Sequence, residues 1–280
     1  MGKQGLVNSS GGDRPKPPVK WAGGKGQLLS QFEPLFPKQR FNLYIEPFVG
    51  GGAVFFYLLP ATAIIIDNNR ELINFYTTVK DQLPALLDDL ERHVNDKEYY
   101  YRIRALDPNK MDPVHRASRF LYLNKTGYNG LWRVNKKGKY NVPFGRYKNP
   151  KIVDRENLPL VSRVLQHCQI IPGDFGQVLD FAQRGAFIYL DPPYHPLSAT
   201  ANFTSYTADS FGVDDQERLA HVFRELDRKG CRVMLSNSDT PFTRQLYKGY
   251  DHQVVYARRA INCRAGRRGP VPELVVRNYL

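Results

Sequence analysis

Cysteine is scarce: the 280 residues carry three, Cys168, Cys231 and Cys263. They are odd in number, far apart and never in a C-x-x-C pair, so no disulfide framework organises the chain. A reducing compartment is expected, and with it a cytoplasmic location. The six histidines form no H-x-x-x-H pair, so no metal site is expected. Long apolar runs are also few. Residues 48–66 carry no charge, but Gly50, Gly51, Gly52 and Pro60 interrupt them. They read as a loop, a short buried helix and a buried strand, not as a membrane span. The first residues lack the apolar core of a signal segment. Leu6 stands where a myristoylation motif requires Ser or Thr. Residues 1–17, rich in Gly, Ser, Pro and Lys, are expected to form a flexible tail.

Acidic residues are the second shortage. Lys and Arg number 40 against 27 Asp and Glu, a net charge of +13. Such an excess favours a polyanionic partner through counterion release and steering, although a solvated basic surface produces the same total. Locally the bias is sharper. Residues 119–151 contain nine Lys or Arg and no acid, which weighs against a merely solvated face.

What is present alternates. "NLYIEPFVGGG" (42–52) reads as a strand entering a glycine turn, "AVFFYLL" (53–59) as a short helix, and "TAIIIDNN" (62–69) as a buried strand ending in Asp67. "RELINFYTTVKDQ" (70–82) has helical spacing. Residues 83–125 are mostly helical in spacing, and "LWRVN-KKGK-YNVPFG" reads as a β-hairpin with a basic tip. The alternation returns with strands at 168–175 and 186–194 around a helix near 176–184, a helix at 214–229, a strand at 231–239, a helix near 241–248, and strands at 252–260 and 272–280. The expected fold class is α/β: an open, mostly parallel Rossmann-like sheet carrying an insert. Residues 18–82 and 161–280 would form the sheet domain and 83–160 the helical and hairpin insert. Ligands of such sheets bind outside the carboxyl ends of the strands, where the candidate motifs fall.

"KWAGGKGQ" (20–27) is glycine-rich around Lys25, but Gly26 and Gln27 follow the lysine where a phosphate-binding P-loop needs Lys then Ser or Thr. ATP is disfavoured, and a plain turn stays open. "EPFVGGG" lets backbone approach a ligand closely. Asp67 could accept from ribose hydroxyls or cap a helix, two readings that residues alone do not separate. "LDPPY" (190–194) is the strongest signal. An exocyclic amine on a base is a poor nucleophile, because its lone pair is delocalised into the ring. Two acceptors on its hydrogens would favour a tetrahedral nitrogen. The Asp191 carboxylate and the Pro192 carbonyl can supply both, Pro193 stiffens the loop, and Tyr194 can stack on the base. A proline-rich turn is the alternative.

"KWAGGK", "EPFVGGG", "IDNN", "GDF" and "DPPY", in this order, resemble the DNA adenine-N6 methyltransferases of the Dam type, the alpha-group, D12-class enzymes. The similarity runs over residues 20–279. "YLNKTGYNGLWRVN…YNVPFGRY" (122–147) resembles the target-recognition hairpin of members acting at GATC. The resemblance implies S-adenosyl-L-methionine as cofactor and S-adenosyl-L-homocysteine as product. It implies cofactor binding by Trp21, Lys25, Glu46, Phe48, Gly50, Asp67, Asn68, Asp174, Phe175 and Asp191. Asp191, Pro192, Pro193 and Tyr194 would hold a target adenine flipped out of the duplex. Lys20, Tyr128, Asn129, Leu131, Arg133, Asn135, Pro143, Ser198 and Asn202 would contact double-stranded DNA. In a strand, Leu131, Arg133 and Asn135 share one face, and Arg133 can bond a guanine bidentately. Many GATC-type members carry Cys and Tyr where this chain has Trp132 and Val134. No membrane and no obligatory protein partner is implied; a cognate restriction endonuclease stays open. The rival readings are methylation of another amine, such as cytosine N4 or an RNA adenine, and a DNA-binding regulator without catalysis.

Overall fold

The computed structural model describes residues 14–196, 211–257 and 270–280. Its centre is a seven-stranded sheet: β1 (Tyr44–Pro47), β2 (Ala63–Asp67), β3 (Cys168–Pro172), β4 (Phe187–Leu190), β5 (Arg232–Ser238), β6 (Asp251–Ala257) and β7 (Val271–Arg277). The order is β3-β2-β1-β4-β5-β7-β6. The first five strands run parallel, and β7 lies antiparallel to both β5 and β6. The α/β class expected from the alternation is therefore found.

β2 shows why the sheet forms. Its Ile-Ile-Ile run is β-branched and buried throughout. Ile65 faces one core cluster, with Tyr44, Phe75 and Phe187. Ile64 and Ile66 face the other, with Ile188, Leu219 and Leu235. A strand covered on both faces reads as continuous apolar sequence. Helices supply the covers: α1 (Leu29–Phe32), α2 (Ala53–Leu58), α3 (Arg70–Asp81), α4 (Leu83–Leu90), α5 (Lys97–Ala105), α6 (Pro113–Thr126), α7 (Asn157–Leu165), α8 (Val178–Phe181), α9 (Val213–Arg228) and α10 (Pro241–Leu246). The helix expected near 176–184 is shorter, a 3-10 turn at Phe175–Gln177 followed by the single turn of α8.

The chain between α3 and α7 does two things. α4 and α6 place Leu86, Leu90, Phe120 and Leu121 in the same core as Phe75. A smaller cluster joins Tyr100 of α5 and Tyr122 of α6 to Tyr140 and Val142 of the segment after α6. There the 131–144 segment folds back on itself. Asn135 N–H donates to Lys139 O at 2.9 Å, Asn141 N–H donates to Arg133 O at 3.0 Å, and Val134 bridges Tyr140. Trp132 faces inward, with its ring 4.4 Å from Phe120 and 4.7 Å from Tyr140. No helix among the described residues is long and apolar enough to cross a membrane.

Candidate active site

β1 and β4 are neighbours at the point where the strand order reverses, with β2 and β3 on one side and β5 on the other. The carboxyl ends of two such strands bound a crevice. β1 delivers Glu46 and Phe48 there, and β4 delivers Asp191.

On the β1 side the backbone is strained. Phe48 has φ 107°, which a bulky side chain rarely adopts. Its ring stacks on Phe175 at 5.1 Å, and Phe211 closes the group at 5.9 and 5.8 Å. Gly50 has φ +47°, and a Cβ there would lie 2.6 Å from Trp21 Cδ1, so the indole rests directly on the glycine turn. The opening loop makes a turn, Gly24 N–H donating to Trp21 O at 3.2 Å. Asp67 Oδ2 accepts from Gly50 N–H at 3.0 Å and Oδ1 from Asn69 N–H at 2.9 Å, which fastens the glycine turn to the end of β2. Burial raises the pKa of this carboxyl. The cap of α3 is Asn69, whose Oδ1 accepts from Glu71 and Leu72 N–H. Asp174 Oδ1 and Oδ2 accept from Arg218 at 2.6 and 2.7 Å. That bidentate pair holds the carboxyl below its usual range. The same guanidinium lies 3.8 Å over the Phe175 ring.

On the β4 side, Asp191 Oδ2 pairs with Lys25 Nζ at 2.8 Å. Asp191 Oδ1 is buried with no hydrogen-bond partner among the described residues. Burial pushes this carboxyl up to about 6, against the pull of Lys25. Lys25 Nζ also donates to Gly23 O and lies 4.8 Å from the Tyr194 ring. Glu46 is wholly buried; Tyr44 OH donates to its Oε2 at 2.8 Å, and burial pushes it up to about 8. Burial thus favours the neutral form of Glu46, and Lys25 and Asp191 lie as the ion pair.

The loop after β4 is clamped by buried polar side chains. Gln216 Nε2 donates to Pro193 O at 2.9 Å, and Asn237 Nδ2 donates to Gln216 Oε1 at 2.9 Å. Asn237 Oδ1 accepts from His195 N–H at 3.1 Å, and Ser238 Oγ donates to His195 O at 2.6 Å. Tyr194 OH donates to Glu273 Oε2 at 2.6 Å. β5, β7 and α9 thus hold the loop through both backbone and ring.

The basic segment lies outside this crevice. Tyr128 is 51% exposed, and Asn129 has φ 54°. Pro143 is exposed. Arg133 is exposed and donates from Nε to Asn141 Oδ1 at 2.8 Å. Lys20 Nζ lies 4.4 Å over the Tyr147 ring. Asn135 Oδ1 accepts from Lys137 and Lys139 N–H, so its oxygen serves the turn at the tip. Ser198 and Asn202 lie outside the described residues.

A family model for D12 class N6 adenine-specific DNA methyltransferases matches residues 21–261. The chain belongs to that class. It is 46% identical to the Type II methyltransferase M.MjaIII of Methanocaldococcus jannaschii, over 94% of this chain and 99% of that protein. It is 40% identical to the DNA adenine methylase of Vibrio cholerae, over 92% and 94%, and 38% identical to that of Escherichia coli, over 92% and 93%. This D12 methyltransferase is thus an adenine-specific DNA-modifying enzyme.

The structure brings Lys25, Asp191 and Tyr194 into contact with Glu46 close by. Trp21, Gly50 and Asp67 are linked to one another, and Phe48 stacks on Phe175. Sequence reasoning missed Phe211, Gln216, Arg218, Asn237, Ser238 and Glu273. Only "SNSD", polar residues ending the apolar strand β5, carried a signal that a strand end was in use.

Proposed function

We propose that this D12 methyltransferase transfers a methyl group from S-adenosyl-L-methionine to N6 of a flipped adenine in double-stranded DNA, within 5'-GATC-3'. The observation that carries the reading is Asp191 Oδ1, a buried carboxylate oxygen without a partner among the described residues, at the carboxyl end of β4. A buried acceptor left unpaired costs about 1–3 kcal/mol, and an amine hydrogen of a base in the pocket would satisfy it. The Pro192 carbonyl takes the second hydrogen. Together they draw the N6 lone pair out of the ring, while the Tyr194 ring, held through Glu273, stacks on the base. Once the new C–N bond forms, the surplus N6 proton has Asp191 Oδ1 beside it.

The cofactor residues fit the group. Asp67 is a carboxylate at a strand end, as ribose hydroxyls require. The Phe48, Phe175 and Phe211 rings offer an aromatic wall for a purine, and the glycine turn allows close backbone approach under Trp21. Lys25, Glu46, Asn68 and Asp174 complete the set. When bound, S-adenosyl-L-methionine supplies an electrophilic methyl sulfonium and leaves as S-adenosyl-L-homocysteine. The chain orients the amine, excludes water and takes the proton.

For DNA reading, residues 83–160 act as the recognition unit. Arg133, braced by Asn141, presents its guanidinium to a guanine edge. Leu131 and Pro143 pack on a thymine methyl. Tyr128 and Asn129 enter the stack beside the target, and Lys20 reaches the site from the opening loop. Asn135, with its oxygen committed to the turn, contributes a donor only. Many cationic contacts make binding fall steeply with salt.

Unmethylated plasmid incubated with enzyme and S-adenosyl-L-methionine, then challenged with paired nucleases that cut GATC only when methylated or only when unmethylated, tests the reading. A switch in digestion pattern is expected. N6-methyladenine without that switch overturns the GATC assignment alone. Asp191→Ala with wild-type turnover overturns the catalytic one.

A further inference from the structure

We propose that Asn124 is a positioning residue that holds Lys20 and the turn at 127–131 in one frame for reading DNA. It sets the discrimination between sites rather than methyl transfer. The inference rests on the reading above that Lys20 and the basic segment contact DNA.

Asn124 lies on α6 with no solvent exposure. Its side chain reaches two segments far apart in sequence. Oδ1 accepts from Lys20 N–H at 2.9 Å; Nδ2 donates to Lys20 O at 2.8 Å and to Gly130 O at 3.0 Å. The amide orientation is fixed by its partners, because one is a donor and two are acceptors. Each hydrogen of Nδ2 has an acceptor, so the buried amide is satisfied only while both segments stay in place.

A second observation brings the same segments together. Gly130 has φ +62°, and a Cβ there would lie 2.5 Å from Lys20 Cβ and Cδ. Lys20 therefore lies against bare backbone of the turn that carries Tyr128 and Asn129. Tyr128 N–H donates to Pro143 O at 2.8 Å, which extends the frame to the second arm. On its other side Lys20 adjoins Trp21, which rests on Gly50 and Gly51. The lysine that reaches DNA and the turn that would enter the stack thus share one buried amide, and neither can shift alone. Among the described residues, the side-chain hydrogen bonds of Asn124 go to Lys20 and Gly130 and none goes to Asp191 or Tyr194.

The test uses the full chain. Asn124→Asp is nearly isosteric, keeps the acceptor for Lys20 N–H, and sets a carboxylate oxygen against two carbonyls. We would measure kcat/KM on the unmethylated cognate site and on duplexes with one base changed, for wild type, Asn124→Asp, Lys20→Met and the double variant. The cofactor Kd without DNA would be measured alongside. The ratio of cognate to altered-site kcat/KM should fall about tenfold or more in Asn124→Asp, in line with loss of one specific base contact. Cofactor Kd should stay within about twofold, whereas general loosening of the fold would move both. In the Lys20→Met background the same change should add under about threefold, because the two act through one contact. An unchanged ratio in Asn124→Asp, with a lowered ratio in Lys20→Met, overturns the role of Asn124 and leaves the DNA reading standing. An unchanged ratio in Lys20→Met overturns the premise and the inference with it. Should Asn124→Asp fail to fold, Gly130→Ala pushes on Lys20 from the other side without stranding a polar group. Its ratio should fall likewise, and an unchanged ratio overturns the proposal.

Discussion

Asp191→Asn should stabilise the protein progressively as pH rises, even as it removes activity. The folded pocket raises Asp191 from 3.8 to about 6, chiefly by burial. Between those values the folded chain keeps a proton that the unfolded chain has released. Wild-type stability therefore declines with pH across this window, by about 1.4 kcal/mol per pH unit. Well below pH 4 both states are protonated and the cost is absent. Well above pH 6 both are ionised and the full cost, about 3 kcal/mol, is in place. Asparagine does not titrate. The difference in unfolding free energy between Asp191→Asn and wild type should rise by about 3 kcal/mol from about pH 3 to about pH 8 and then level off. Lys25 loses its partner in the variant, which offsets the curve at every pH but does not change its slope. Urea unfolding of both proteins at half-unit pH steps measures the difference directly. A flat difference would refute the electrostatic account of the pocket. The same titration predicts that wild-type turnover falls below about pH 6, where the carboxylate is lost as an acceptor.

Gly50→Ala should weaken cofactor binding and cost about 1 kcal/mol or more of stability, since its Cβ would meet Trp21 at 2.6 Å; calorimetric titration and thermal melts check both. Gln216→Leu removes the donor to Pro193 O and leaves Asn237 Nδ2 without its acceptor. It should lower kcat roughly tenfold or more, from about 1–3 kcal/mol per stranded group, while cofactor Kd changes little; equal loss in both would refute a role in holding the loop. Arg218→Leu frees Asp174 and uncovers Phe175. The Asp174 carboxyl should then titrate higher, as carboxyl-resolved NMR would show, and cofactor Kd should rise several-fold.

The strands and the ends that matter were legible in the sequence because burial writes itself as local pattern. "AIIID" and "FIYLDPPY" carry both the strand and the side chain that ends it. The supports were not legible. Gln216 sits on an amphipathic helix where spacing marks it only as inward-facing, and its partners come from other elements. Glu273 reaches Tyr194 because β7 inserts antiparallel between β5 and β6, a pairing no local pattern encodes. Asn124 is one polar residue in a buried helical run, and its partners are Lys20 and Gly130. Asp67 shows the limit differently. The residues allowed a cap or a ligand role, and the cap went to its neighbour Asn69.

The adjacency of β2 and β3 has a consequence for how such enzymes diversify. The two strands pair residue for residue, Ala63 with Cys168 through Asp67 with Pro172, although the whole of α3 to α7 intervenes in the chain. Closing a connection grows costlier only with the logarithm of its length, so doubling it adds about 0.6 kcal/mol. The sheet is therefore nearly indifferent to what lies between these strands. That indifference ends at α4 and α6, whose apolar faces belong to the common core. The segment beyond α6 adds Tyr140 and Val142 to a small cluster that α5 and α6 share through Tyr100, Tyr122 and Leu123. Under the recognition role proposed above, exchanging that segment would leave the ends of β1 and β4 in place, provided the replacement still packs on Tyr100 and Tyr122 and offers a carbonyl to Asn124.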